Sequence, residues 1–276
     1  MNYLYFYQGN IPNYVNYSLE SVKYSDPDAK IFFCSDFKPS FKELTHINLQ
    51  DLTSEHIKFI KKLNYFNNIK NPLWETSLLR IYYLLSAAEY LKINNFVHFD
   101  SDVLVYKSFK EIENFFVNGK LNITPLNELF LIFGYSYISS VETYKLICED
   151  MIKILEKIEI YQNKYYENKK INEMLLLNLA YLEKPDNFNL LNITPNENSN
   201  ILFDPVSYGQ YISGIDKKNI SRKTIDEDHY VGREILKSGM KIYFKNKKPL
   251  IKHNKIFYEI ANLHVHKKNL KDYMPT

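Results

Sequence analysis

Glycine and cysteine are both scarce in this chain. Seven glycines in 276 residues leave no G-x-G-x-x-G fingerprint, and Gly209 and Gly214, at P-loop spacing, are followed by Ile215-Asp216 instead of lysine and a hydroxyl residue. A phosphate-bearing ligand would have to be held by charge or by a cation. The only cysteines, Cys34 and Cys148, are too few for a disulfide framework or a thiolate metal site and suit a reducing cytosol. The chain opens with no positively charged leader carrying an apolar core, and no apolar run reaches about 18 residues. A cytoplasmic protein is therefore expected. With no Pro/Gly/Ser-rich linker and no repeat, the simplest organisation is one domain over residues 1–276.

What is present reads as α/β. Tyr3-Leu4-Tyr5-Phe6-Tyr7 predicts a first strand. Tyr14, Val15, Leu19 and Val22 recur at helical spacing after Pro12, and Ile31-Phe32-Phe33-Cys34 predicts a second strand. That β-α-β opening implies a parallel sheet with a right-handed crossover. Asn71-Pro72 starts the clearest helix, with apolar positions through Leu78, Leu79, Tyr82, Leu85 and Leu91. Further helices are expected at about Val141–Tyr161 and Asn172–Leu182, and a strand at Leu129–Phe133.

The most informative feature is Asp100-Ser101-Asp102, between Phe96-Val97-His98-Phe99 and Val103-Leu104-Val105-Tyr106. It falls at the carboxyl end of an expected buried strand, where open α/β sheets place their ligands. Two carboxylates this close repel unless they share a proton or a cation, and a hard divalent ion such as Mn²⁺ or Mg²⁺ resolves the conflict. The plainer alternative is a polar turn. Near the C-terminus, alternation in Ala261-Asn262-Leu263-His264-Val265-His266 puts both histidines on one face, followed by Lys267-Lys268. From Lys241 to Thr276 lysines far outnumber the only acids, Glu259 and Asp272, although the formal net charge is just +3. Such a tail suits a diphosphate or an anionic lipid surface, and no nucleic-acid partner is expected.

In this order the pieces resemble the DxD-containing, metal-dependent glycosyltransferases of the GT-A fold. Trp74-Glu75-Thr76-Ser77-Leu78-Leu79-Arg80-Ile81-Tyr82, followed by Phe96 to Leu104, is similar to their arginine-bearing helix leading into a strand and a D-x-D. Phe203-Asp204-Pro205-Val206-Ser207-Tyr208-Gly209-Gln210-Tyr211-Ile212-Ser213-Gly214-Ile215-Asp216 looks like an aspartate-to-glycine segment of some bacterial and viral members. Leu263-His264-Val265-His266-Lys267 is similar to the C-terminal segment that completes the metal site in related enzymes. The longer histidine-glycine-lysine-proline-tryptophan ending of the glycogenin-like family is missing.

The resemblance implies a single GT-A-like domain with a Rossmann-like mixed central sheet flanked by helices. Its halves would be 1–110 for the nucleotide sugar and 111–260 for the acceptor, with a metal- and diphosphate-binding tail at 261–276. It implies transfer of a hexosyl group from a UDP- or GDP-sugar to a glycan, glycolipid or protein-linked acceptor, as in polysaccharide biosynthesis. Mn²⁺ (or Mg²⁺) would be held by Asp100, Asp102 and His264, with His266 as runner-up. Tyr7, Arg80, Asp100, Ser101 and Lys267 would contact the donor or its diphosphate. A base, if the reaction inverts, is sought among Asp228, Asp204, Asp216, Asp226 and Glu227; Glu227-Asp228 resembles an acidic pair near the acceptor, and equally suits the first turn of a helix starting at Thr224. Retention and inversion both stay open.

Two further expectations follow. The tail from Asn262 onward is taken to order only around metal and diphosphate, little in it being apolar, and the basic C-terminal region to touch the inner membrane face peripherally. Two other readings compete. Asp100-Ser101-Asp102-Val103-Leu104 also fits the first motif of haloacid-dehalogenase phosphohydrolases, with Asp100 as nucleophile, although that family places the motif after its first strand. The other is a non-catalytic carbohydrate-binding module.

Overall fold

The structure is a computed structural model that describes residues 1–63, 73–165, 171–197, 199–214 and 227–275. Its strands are β1 (Asn2–Tyr7), β2 (Lys30–Ser35), β3 (Thr45–Asn48), β4 (Phe96–Phe99), β5 (Val103–Val105), β6 (Leu121–Pro125), β7 (Leu131–Ile138), β8 (Phe188–Leu190), β9 (Ile201–Leu202), β10 (Lys241–Lys245), β11 (Lys248–His253), β12 (Ile256–Ile260) and β13 (Asn262–His264). The helices are α1 (Tyr14–Ser25), α2 (Glu55–Lys62), α3 (Leu73–Leu91), α4 (Phe109–Ile112), α5 (Val141–Glu156), α6 (Ile158–Tyr165), α7 (Glu173–Glu183), α8 (Tyr208–Ser213) and α9 (Tyr230–Ser238).

Seven strands form the central sheet in the order β3-β2-β1-β4-β7-β6-β8. The half containing β1 to β4 is parallel, whereas β7 runs antiparallel to β4 and β6, which makes the sheet mixed. Side chains along β1 alternate between two layers. Tyr3 and Tyr5 pack with Val15, Leu19 and Val22 of α1, while Leu4 and Phe6 pack with the α3, α5 and α7 side of the molecule. Because both faces are covered, the strand is apolar throughout instead of alternating with polar residues. The same logic holds for β4, where Phe96 faces one layer and Val97 and Phe99 the other.

A four-stranded sheet β10-β11-β12-β9 and the pair β13-β5 complete the fold. The β-α-β opening and the D-x-D strand fall where the sequence predicts them. The expected strand at 129–133 instead spans Leu131–Ile138, because its alternate side chains fill both layers of a fully buried strand. The expected helix at 141–161 is two helices, interrupted at Lys157. Asn71-Pro72 and Thr224 lie outside the described residues.

The premise that little in the tail is apolar enough to hold it is corrected. Val265 and Leu270 are fully buried in the layer that also contains Leu104, Tyr106 and Tyr208, and the Tyr106 hydroxyl donates to the Tyr273 carbonyl at 2.6 Å. Two apolar anchors and a strand pairing hold the segment, which composition alone undervalues.

Candidate metal and donor site

Strand β4 ends at Phe99, and the turn that follows carries both acids. The Asp100 amide donates to the Gly134 carbonyl of β7 at 3.0 Å, and the Val103 amide closes the turn onto the Asp100 carbonyl at 3.0 Å. β13 then pairs antiparallel with β5, putting His264 opposite Val103, so its side chain meets the residue just before, Asp102. His264 Nε2 lies 3.0 Å from Asp102 Oδ1. The other carboxylate oxygen, Oδ2, is paired with Lys268 Nζ. Lys268 takes a left-handed backbone with φ of 66°, and its amide closes a turn onto the Val265 carbonyl at 2.9 Å. Holding a lysine there costs local strain of the kind that clusters at ligand sites.

Asp100 has a different partner. Its Oδ1 is paired with Arg80 Nη1 of α3, and Arg80 Nη2 reaches Glu173 Oε1 at the start of α7, 3.4 Å away. The Arg80 guanidinium also lies over the Phe133 ring, 5.6 Å from its centroid. Burial pushes the Glu173 carboxyl up, against the opposing pull of Arg80. For Asp102, burial also pushes upward, but His264 and Lys268 outweigh it and hold the carboxyl well below the usual range. The group is thus a buried anion held by Lys268 and His264 at the carboxyl end of a central strand.

Among the described residues, Asp100, Asp102 and His264 form the one cluster of such side chains whose donor atoms, one from each, all lie within 4.8 Å of one another. His264 Nδ1 is buried without a hydrogen-bond partner, and a Cβ on Gly134 would sit 3.2 Å from both that nitrogen and Asp100 Oδ2. A side chain at position 134 would therefore crowd both atoms. Two carboxylates and an imidazole with an unsatisfied buried nitrogen make a donor set suited to Mn²⁺ or Mg²⁺, and the residues fit such an ion.

The other expected residues divide. Tyr7 and Ser101 both act on the Tyr14 hydroxyl, which burial pushes up, with Asp102 and Tyr7 adding to the shift and Ser101 opposing it; Lys268 Nζ lies 5.6 Å from the centre of the Tyr14 ring. The His266 ring stands 6.5 Å from that of His264, and His266 is not part of the three-residue cluster. Lys267 is exposed, and its neighbour Lys268 makes the contact with Asp102. Asp228 is exposed, and its carbonyl accepts from Asn127 Nδ2 at 3.3 Å. Asp216 and Asp226 lie outside the described residues.

Asp204 is buried, and its carboxylate accepts four backbone N–H groups, from Ser207, Tyr208, Gly209 and His264, at 2.7 to 2.9 Å. Its acceptor positions are consumed by the fold, which is poor placement for a base.

Sequence reasoning passed over Glu173, Tyr14 and Lys268. Glu173 had a usable signal, an acid in the first turn of a helix after an N-cap asparagine, but nothing local pointed to Arg80. A cavity of ≈ 350 Å³ opens between the β1–α1 connection and the residues after β2, lined by Asn10, Asn13, Asn16, Phe37, Lys38 and Ser40 among others.

No protein-family model and no curated protein matches this chain. Solved structures do. Mouse xyloside xylosyltransferase 1, in its apo form, superposes with a TM-score of 0.50 at 12% identity, covering 70% of this chain and 86% of that one. The fold is GT-A. The galactosyltransferase LgtC, in complex with donor and acceptor sugar analogs, gives 0.48 at 15% identity over 81% and 83% of the two chains. GlyE of Streptococcus pneumoniae TIGR4 gives 0.40 at 14% over 69% and 44%. The haloacid-dehalogenase alternative is not favoured: in this GT-A fold three strands, β1 to β3, precede the one that leads into Asp100. No helix among the described residues is long and apolar enough to cross a membrane.

Proposed function

We propose that the chain is a metal-dependent glycosyltransferase that moves a sugar from a nucleotide-sugar donor, UDP- or GDP-linked, to a glycan, glycolipid or protein-linked acceptor. The observation that carries this is the convergence of Asp100, Asp102 and His264, flanked by Arg80 and Lys268, at the carboxyl end of β4 in a GT-A fold.

Asp100, Asp102 and His264 would hold Mn²⁺ or Mg²⁺, which when bound supplies Lewis-acid stabilisation of charge growing on the leaving diphosphate. Lys268 and Arg80 do the rest with fixed positive charge. Each already neutralises a carboxylate, and each can turn that charge toward a diphosphate oxygen in a charge-assisted hydrogen bond. Lys268, not the exposed Lys267, is the lysine of choice, since its Nζ is on Asp102. This charge-based grip accounts for a phosphate site with no glycine loop. Glu173 keeps Arg80 oriented when the guanidinium leaves Asp100.

The nucleoside is assigned to the cavity at Asn10, Asn13, Asn16 and Phe37, where an exposed ring offers a stacking surface and asparagines offer both donors and acceptors. On this reading residues 1–110 serve the donor and 111–260 the acceptor. If the reaction inverts, Asp228 is the proposed base. A second contact is supported by the sheet of β10 to β12. Tyr243, Phe244, Ile256 and Phe257 are between 41% and 53% exposed, among the exposed lysines Lys241, Lys245, Lys252 and Lys255. Aromatic rings with lysines suit an anionic membrane surface.

The test is to incubate the protein with a panel of UDP- and GDP-sugars and, separately, phosphate monoesters, with and without Mn²⁺. Mn²⁺-dependent release of nucleoside diphosphate supports the reading. Monoester hydrolysis alone would sink it in favour of a phosphohydrolase, and binding of glycans with no turnover would leave a carbohydrate-binding module.

A further inference from the structure

The backbone amide of His264 is held by a buried carboxylate. Asp204 Oδ2 accepts the His264 amide at 2.8 Å and the Gly209 amide at 2.9 Å, while Oδ1 accepts the amides of Ser207 and Tyr208 at 2.7 and 2.8 Å. One carboxylate thus ties the first turn of α8 to strand β13. Asn262 locks the same join, its Oδ1 accepting the Asp204 amide at 3.1 Å and its Nδ2 donating to the Asp204 carbonyl at 3.3 Å. Gly209 is pressed against this strand: a Cβ there would fall onto the His264 carbonyl group. Val206, between the two, holds a φ of 75°, a conformation that β-branched residues avoid.

From this we infer that Asp204 is a positioning residue for the metal ligand His264, and that Gly209 is the contact that lets it act. The inference rests on the proposed metal site. A buried carboxylate is costly unless its acceptors are filled. Here burial does push the Asp204 carboxyl up, against the four amides. Capping the start of α8 calls only on the amides of Ser207, Tyr208 and Gly209. Spending Oδ2 on His264 adds something a cap does not require: it sets the height of the His264 backbone, and hence how far the imidazole reaches toward Asp102 and Asp100. Ligand-orienting groups of this kind typically change metal affinity about 10- to 100-fold.

The deciding experiment uses the full chain and Mn²⁺ alone as probe, read by calorimetry and by the electron paramagnetic resonance signal of free Mn²⁺. Asp204→Asn keeps one oxygen for the α8 amides but turns an NH₂ group toward those of Gly209 and His264. It is expected to raise the Mn²⁺ Kd by about 10- to 100-fold. Gly209→Ala is expected to do the same by pushing β13 away. Val231→Ala, which loosens the same apolar layer without touching the Asp204 carboxylate's hydrogen bonds, is the stability control: for a comparable fall in Tm it should leave the Kd within about twofold of wild type, where a merely structural Asp204 would behave alike.

Folded Asp204→Asn and Gly209→Ala proteins with wild-type Mn²⁺ affinity would overturn the inference while leaving the metal site standing. So would failure of both to fold at 4 °C, because Asp204 would then be a folding residue only. A wild-type chain with no Mn²⁺ affinity sensitive to Asp102→Asn would sink the proposed metal site, and this inference with it.

Discussion

Nε2 of His264 lies 3.0 Å from Oδ1 of Asp102, although the two residues come from β13 and from the turn before β5. The pairing of those strands makes the contact, so neither residue can move far without disturbing the sheet. This rigidity suits a site whose ligands must be held ready before a donor arrives.

Replacing Asp102 with asparagine should abolish Mn²⁺-dependent turnover, by more than the roughly 10- to 100-fold typical of outer partners of a metal ligand. It also has a pH signature. The folded-state carboxyl sits below its unfolded value, so its contribution to stability is present above about pH 4 and lost as the pH falls through the lower folded value. Urea unfolding from pH 6 downward should therefore show a shallower acid loss in the asparagine variant than in wild type.

The two adjacent lysines should separate cleanly. Lys268→Ala is expected to lower kcat/KM for the sugar nucleotide on the order of 100-fold, as for loss of one charge-stabilising donor. Lys267→Ala, at an exposed position, should stay within about twofold. Equal effects in steady-state kinetics would refute the assignment of Lys268.

Leu270 tests how the tail is held. It is fully buried with Val265, Leu104 and Tyr106, and Leu270→Ala should cost about 2 to 5 kcal/mol by the usual cavity penalty. Urea denaturation measures this. Limited trypsin digestion should show faster cleavage after Lys267 and Lys268 in the variant than in wild type, with or without added nucleotide.

Both thiols should be inert in the native protein. Burial pushes Cys34 up to about 12 and Cys148 well above its ordinary value. At pH 8 roughly one Cys34 in ten thousand would then be a thiolate, the fraction rising tenfold per pH unit. Ellman's reagent should titrate neither cysteine until urea unfolds the chain; a rapid native reaction would contradict the burial.

The chain's own residues determined more of this site than of its surroundings. An apolar run ending in Asp100-Ser101-Asp102 pointed to a buried strand with two carboxylates at its carboxyl end, because both periodicity and charge are local properties. Alternation along a short strand singled out His264 and His266 together, and the choice of His264 came from the resemblance. The break at Lys157 and the length of β7 were not legible, since a fully buried strand has no polar face to mark its ends.

Tertiary structure alone decided which lysine meets Asp102, that Glu173 closes on Arg80, and that Asp204 serves the backbone of His264. Lys267 and Lys268 are chemically alike in the sequence. Only the left-handed turn at Lys268 and the antiparallel register of β13 on β5 give one of them the carboxylate. Asp204 shows the converse: as a sequence letter it is an acid available for proton transfer, and in the fold four amides have already taken its oxygens. Composition and spacing specify what a side chain can do. Which atoms occupy its hydrogen-bonding positions depends on contacts between segments far apart in the chain, and those exist only once the sheet has formed.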